Sequence, residues 1–168
     1  DVLMLSEISE HITKGSTPTT YGYEWVDRGI LFLRSESVKQ GIFSLEGSMN
    51  ISLEAHNTLQ RSKIRGGDVL ITITGYIGNT CLFPERYQEA NINQHIARVR
   101  IKDCVLKKYI VQYLNTEKQH RIFLNIQTGQ AYPQLSLKQI QDTKIPYPTD
   151  KQELNKIAKI LTSVDEVI

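Results

Sequence analysis

The chain of 168 residues is long enough for one domain with a real core, or one domain plus an appended helix. Apolar content of 40% and charged content of 23% exclude a disordered chain and describe an ordinary soluble globular protein. A net charge of +2 permits an anionic partner without demanding one, and no apolar run approaches the roughly 20 residues that span a bilayer, so a cytoplasmic protein without a membrane partner is expected.

The first hundred residues read as short strands and turns. Glu10 to Lys14 predicts a strand ending at Gly15, followed by a turn at Gly15-Ser16-Thr17-Pro18. Ile30-Leu31-Phe32-Leu33-Arg34 is a continuous apolar run of the kind buried on both faces, and Val38 to Phe43 adds a short strand around Gly41. Ser52 is placed to cap a helix over Leu53 to Leu59. The run from Gly66-Gly67-Asp68 through Val69-Leu70-Ile71-Thr72-Ile73-Thr74 to Gly75-Tyr76-Ile77-Gly78 is a tight turn, a β-branched strand and a second glycine-hinged loop. A rigid strand that ends in a polar, aromatic loop is suited to displaying a recognition surface. Asn79 to Phe83 and Ile92 to Ile101 predict further strands. In the last, His95, Ala97, Val99 and Ile101 share one face, while Ile96, Arg98 and Arg100 share the other.

The remainder is helical in pattern. Leu106, Tyr109, Ile110, Tyr113 and Leu114 form an apolar stripe. Thr116 and Gln119 have capping-box spacing ahead of a helix expected to bury Ile122, Phe123 and Ile126. Residues 127–134 form a polar loop with one aromatic. Ser136 and Gln139 open another short helix, and Lys144-Ile145-Pro146-Tyr147-Pro148 is extended because residues before proline leave the helical region. Thr149 and Gln152 then cap a terminal helix whose Leu154, Ile157, Leu161, Val164 and Ile168 trace a heptad seam. Such a seam calls for a partner helix, with packing on the domain itself as the alternative. The pattern ends in phase and the chain opens at Asp1, so a processed or excised piece is expected.

Signatures of catalysis are missing. The sequence holds no phosphate-cradling Gly-x-x-x-x-Gly-Lys-Ser/Thr, no Gly-x-Gly-x-x-Gly, no Gly-x-Ser-x-Gly and no His-Glu-x-x-His. His11, His56, His95 and His120 have no ligand spacing; Cys81 and Cys104 form no metal or redox spacing, and two buried thiols fit them better than a disulfide. Asp68 could be read as a magnesium-binding nuclease carboxylate, but no acidic group follows before Glu85. A role accepting backbone N–H bonds in its turn fits better. No catalytic residue, metal or cofactor is expected, and the chain reads as a binding module.

Taken in order, these segments resemble the target-recognition domain of a type I restriction–modification specificity subunit. The resemblance rests on Leu5-Ser6-Glu7-Ile8 running to Gly15-Ser16-Thr17-Pro18; on Gly29-Ile30-Leu31-Phe32-Leu33-Arg34 with Val38; and on Gly67-Asp68-Val69-Leu70-Ile71 with Gly75 and Gly78. It continues through Asn93-Gln94-His95-Ile96, Gly129 ahead of Leu135-Ser136, and Ile145-Pro146-Tyr147-Pro148 leading to Gln152 and Ile157. It implies an α+β fold: a small twisted mixed β-sheet, partly barrel-like, with short helices and a C-terminal coiled-coil-type helix. Residues 1–148 would be the recognition domain and 149–168 the start of a spacer helix. The implied partners are double-stranded DNA, a methyltransferase subunit, a restriction subunit reached through the complex, and a second recognition domain paired through the helix. A full subunit of this family carries two recognition domains, so this chain matches a fragment or a half-subunit that dimerises. A recognition domain fused to a methyltransferase is an alternative, although the Asn/Asp-Pro-Pro-Tyr/Phe motif is missing. A scaffold module that oligomerises through its terminal helix, without DNA, is another.

On this reading the polar loop tips carry the site. Arg34, Ser35, Glu36, Thr74, Tyr76, Asn79, Gln130, Tyr132 and Gln134 are the expected base-contacting residues, because amides suit adenine, arginine suits guanine, and hydroxyl or acidic groups accept from cytosine. Lys14, Ser16, Thr17, Tyr21, Lys39 and His95 are the expected phosphate-side residues. Gln94 looks structural in the family pattern, fixing neighbouring backbone.

Overall fold

The computed structural model describes residues 1–148 and 150–165. Along the chain the elements are β1 (Val2–Met4), β2 (Ser9–Lys14), β3 (Trp25–Leu33), β4 (Met49–Ile51), α1 (Leu53–Thr58), β5 (Lys63–Arg65), β6 (Val69–Thr72) and β7 (Thr80–Leu82). There follow β8 (Glu89–Ile92), β9 (Ile96–Ile101), α2 (Leu106–Leu114), α3 (Glu117–Ile126), α4 (Leu137–Gln141), β10 (Lys144–Pro146) and α5 (Lys151–Asp165). Short 3₁₀ turns occupy Pro18–Tyr21, Ser35–Ser37 and Gln60–Ser62.

The strands form two four-stranded sheets and one ribbon. The first sheet has the order β2-β9-β6-β7 and is antiparallel; the second has the order β4-β3-β8-β5, with β3 and β8 parallel; β1 pairs with β10. The mixed α+β expectation holds, and no closed sheet among the described residues supports the barrel-like part of it. Both four-stranded sheets are open, with β2 and β7 at the edges of one and β4 and β5 at the edges of the other, and the chain crosses between them at the junction of β8 and β9.

Strand alternation explains how the first sheet is buried on both sides. Val69 and Ile71 of β6, with Ala97, Val99 and Ile101 of β9, face Leu106, Ile110, Leu114, Phe123 and Ile140 of the helices. Leu70 and Ile96 point the other way, into a second core with Leu33, Ile64, Phe83 and Ile92. All four residues of β6 are buried, which accounts for its unbroken apolar run. Cys81 lies in that second core, whereas Cys104 is exposed, so the expectation of two buried thiols is corrected; both are free.

Helix starts follow their caps. Ser52 Oγ accepts from the Ala55 N–H at 3.1 Å, and Ser136 and Gln139 close a reciprocal box, with N–H donations of 3.2 Å and 2.8 Å. Thr116 makes its half of the box, accepting from the Gln119 N–H at 3.3 Å. Only Phe123 of the three apolar residues expected inside α3 is buried. Ile122 and Ile126 stay exposed, since α3 meets the core through Phe123 and Gln119 and leaves its flank open to a groove beside Val2 and Pro146.

The terminal helix packs on α2, so the seam is not left wholly for a partner. Leu154, Ile157 and Leu161 are half-buried, and Leu154 touches the first core. Thr149 and Ile168 lie outside the described residues, as does the side chain of Val164. At the start of α5 the Gln152 N–H donates to Asp150 Oδ1 at 2.8 Å and the Leu154 N–H to the Asp150 carbonyl at 3.0 Å.

Candidate nucleic-acid interface

The segment expected to be one strand, 92–101, is broken at Asn93-Gln94-His95, and this break builds the site. Asn93 Oδ1 accepts from the His95 N–H at 3.1 Å, an Asx turn that takes the chain from β8 in one sheet to β9 in the other. The ends of β2, β3 and β6 converge on that turn. Lys14 pairs with Ala97, Leu33 with Ile92, and Thr72 with Ile96. Gly15 follows β2 so closely under β8 that a Cβ there would sit 1.8 Å from the Ile92 carbonyl oxygen.

Hydrogen bonds then tie the loops into a continuous rim. The Asn93 N–H donates to the Leu33 carbonyl at 3.1 Å, which brings Arg34 beside the turn. The Ile73 N–H donates to the His95 carbonyl at 2.9 Å, and the Leu135 N–H donates to the Ile73 carbonyl at 2.8 Å. Gln134 bridges both Thr74 and Thr128, closing the 128–134 loop against the 73–79 loop. Asn79 Nδ2 donates to the Val38 carbonyl at 3.4 Å, linking the same loop to the segment after Arg34. Thr17 completes the circuit, its hydroxyl donating to Gln94 Oε1.

The rim residues differ in how free they are. Arg34, Gln130, Tyr132 and Gln134 are exposed, Tyr132 to 82% and Tyr76 to 66%, large values for aromatic rings without a covering partner. Thr74 and Ser35 are half-buried. Lys14 and Arg34 form no ion pair among the described residues. Tyr21 is exposed at the end of its 3₁₀ turn. Several expected contact residues are committed within the fold instead. Ser16 is held by Ser62, its N–H and hydroxyl at 3.0 Å and 2.9 Å from Ser62 Oγ. Lys39 pairs with Glu46 at 2.9 Å, and Glu36 packs under Gly47. The side-chain amide of Asn79 is spent on Val38.

A cleft of about 260 Å³ opens in the rim, lined by Thr17, Trp25, Phe32, Arg34, Met49, Asn93, Gln94 and His95. Trp25, Phe32 and Met49 were not expected at the site from sequence, Asn93 entered only through the family resemblance, and Gln94 was read as structural. Its amide in fact meets side chains rather than backbone: Thr17 on one atom and His95 Nε2, 3.2 Å from Gln94 Nε2, on the other. The one available signal was the Asn two places before His95, a side chain suited to bond the backbone two residues on.

Asp68 lies away from this rim and is structural. It accepts two hydrogen bonds of 2.8 Å from the Arg100 guanidinium and one of 2.9 Å from the Arg65 N–H, and is 1% exposed. That pairing raises the Arg100 pKa, while burial, followed by the neighbouring Arg100 charge, lowers that of Arg98. Buried and bonded through both oxygens to Arg100 and the Arg65 N–H, Asp68 serves as a strut of the turn.

A rigid two-sheet scaffold whose strand ends gather polar loops into one rim defines a recognition module. The chain belongs to the family of type I restriction modification DNA specificity domains, whose model matches residues 1–168. It is therefore a specificity domain rather than a catalytic one. It is 25% identical over its whole length to the type I restriction enzyme MjaIX specificity subunit of Methanocaldococcus jannaschii, covering 38% of that protein. It is 23% identical over 91% of its length to the EcoBI specificity subunit of Escherichia coli, covering 33% of it. The HsdS subunit from Thermoanaerobacter tengcongensis shares the fold with a TM-score of 0.66 at 19% identity, over 99% of this chain and 37% of that one. A structure of a type I R-M system matches with a TM-score of 0.69, also at 19% identity, over 99% of this chain and 38% of that one. The chain thus spans little more than a third of the length of these relatives. Among the described residues, no helix is long and apolar enough to cross a membrane.

Proposed function

We propose that this domain reads one half of a split double-stranded DNA target on behalf of a cytoplasmic type I restriction–modification complex. The observation that carries this reading is the convergence of the ends of β2, β3 and β6 on the Asn93–His95 turn, which gathers Thr17, Arg34, Thr74 and Gln134 on one rim. Side chains there span the types needed for base edges, amides and a guanidinium, with Lys14, which forms no ion pair among the described residues, at the flank for phosphate. Residues 1–148 form the reader, and α5 begins a spacer that pairs with a second such helix, setting the distance to another recognition domain. The half-exposed seam at Leu154, Ile157 and Leu161 supports that role. Methyltransferase and restriction subunits would be directed to the bound site by this subunit or half-subunit.

The test is duplex binding by the full-length subunit, followed by enrichment from a pool of duplexes with a randomised segment. Affinity should fall linearly with salt on logarithmic axes, and a half-site should emerge. A protein that binds no duplex at low salt, or binds all duplexes alike, is not a reader.

A further inference from the structure

We infer that Gln94 reads an adenine, with Thr17 and His95 as the positioning residues that orient its amide. This rests on the DNA-reading function proposed above and names the base class that one side chain recognises.

A primary carboxamide carries two N–H donors and an oxygen with two lone pairs. In Gln94 one lone pair is taken by the Thr17 hydroxyl, and one N–H faces His95 Nε2 at 3.2 Å, where a ring nitrogen can accept. One lone pair and one N–H remain on an exposed side chain. That remaining pair complements adenine, whose major-groove edge offers the N6 amino donor beside the N7 acceptor. Guanine presents two acceptors on the same edge and would leave the carboxamide oxygen facing O6.

The backbone under Gln94 is fixed on both sides. Asn93 is 8% exposed, with its N–H on Leu33 at 3.1 Å; His95 is held through its N–H by Asn93 Oδ1 and through its carbonyl by Ile73. A free surface glutamine has several rotatable bonds to freeze on binding. Here two side-chain partners have frozen the amide already, which is the preorganisation a specific contact needs. An exposed side chain gains little stability from such bonds, so folding alone gives weak reason for holding it at both ends. Beside it the cleft offers the apolar surfaces of Trp25 and Met49, suited to the C5-methyl of the thymine paired with that adenine.

The experiment uses the full-length subunit, a duplex pool with a randomised segment, and the variants Gln94→Ala, Thr17→Val and Thr17→Ser. Wild type should enrich a half-site containing an adenine at a position where Gln94→Ala accepts any base, the remaining positions being unchanged. Discrimination of adenine over guanine at that position should fall from about ten- to a hundredfold to near unity. Replacing that adenine by 7-deazaadenine, which lacks the N7 acceptor, should weaken wild type about tenfold and leave Gln94→Ala unaffected. Thr17→Val should blunt the preference at the same position, and Thr17→Ser should restore it. The inference is overturned if Gln94→Ala enriches the full wild-type half-site, or if 7-deazaadenine weakens both proteins equally. It is also overturned if Gln94→Ala loses every position together while its unfolding temperature is unchanged. A wild type that enriches no half-site would sink the DNA reading itself, a different result from any of these.

Discussion

Replacing Asp68 tests whether that carboxylate is a strut or a reactive group. In the folded chain it is 1% exposed and accepts two bonds of 2.8 Å from Arg100 and one of 2.9 Å from the Arg65 N–H, while Arg100 itself is 18% exposed. Removing one partner of a buried pair costs about 3–5 kcal/mol, because the other charge is left without compensation. Arg100 keeps some contact with water, so Asp68→Ala should fall at the lower end, about 3 kcal/mol. Asp68→Asn keeps an acceptor for the turn and should recover about 1 kcal/mol of that. Urea unfolding of Asp68→Ala, Arg100→Met and the double variant measures the coupling, expected at about 2–3 kcal/mol. Domains of ordinary stability survive such a loss, so the variants can also be assayed folded, and their duplex binding should match wild type. Additive single effects, or a loss below about 1 kcal/mol for Asp68→Ala, would refute the strut reading.

Other consequences lie at the rim and in the two cores. Arg34→Ala should cost about 1–3 kcal/mol on the enriched half-site and far less on random duplex, measured by competition binding. Lys14→Ala should weaken all duplexes alike and lower the salt slope by about one, read from affinity across a salt series. Phe123 is fully buried, so Phe123→Ala should destabilise the domain by about 3–5 kcal/mol in chemical unfolding. Burial pushes the Cys81 thiol up to about 12 while Cys104 is exposed, so a thiol reagent at neutral pH should label Cys104 alone until the chain is unfolded. Because the folded form holds the Cys81 proton more tightly, the stability this contributes is complete below about pH 9 and lost as pH rises towards about 12. Unfolding midpoints across that range, compared with those of Cys81→Ala, check the sign.

Elements governed by neighbours in sequence were legible without the fold. The caps at Ser52, Thr116 and Ser136 bond backbone groups three residues on, so their spacing alone announces them. The β-branched run of β6 and the stripe of α2 were readable for the same reason: their periodicity lies within a few residues. β1, β4 and β5 were not. Each is three residues long and exists because of a distant partner, as where Val2 meets Pro146.

The loops of the site were visible as glycine-hinged and polar, and their residue types suggested binding rather than bond-breaking. Sequence determined those ingredients, because turn chemistry and side-chain type are local properties. Tertiary structure decided which loops meet and which side chains stay free. It broke the expected long strand at Asn93, sent β8 and β9 into different sheets, and so brought Thr17 to Gln94 and Gln134 to Thr74. It also tied Ser16 to Ser62 and Lys39 to Glu46, and laid part of the heptad seam on α2. The physical reason is that a side chain's availability depends on what packs across from it, and partners set by strand pairing lie tens of residues away along the chain.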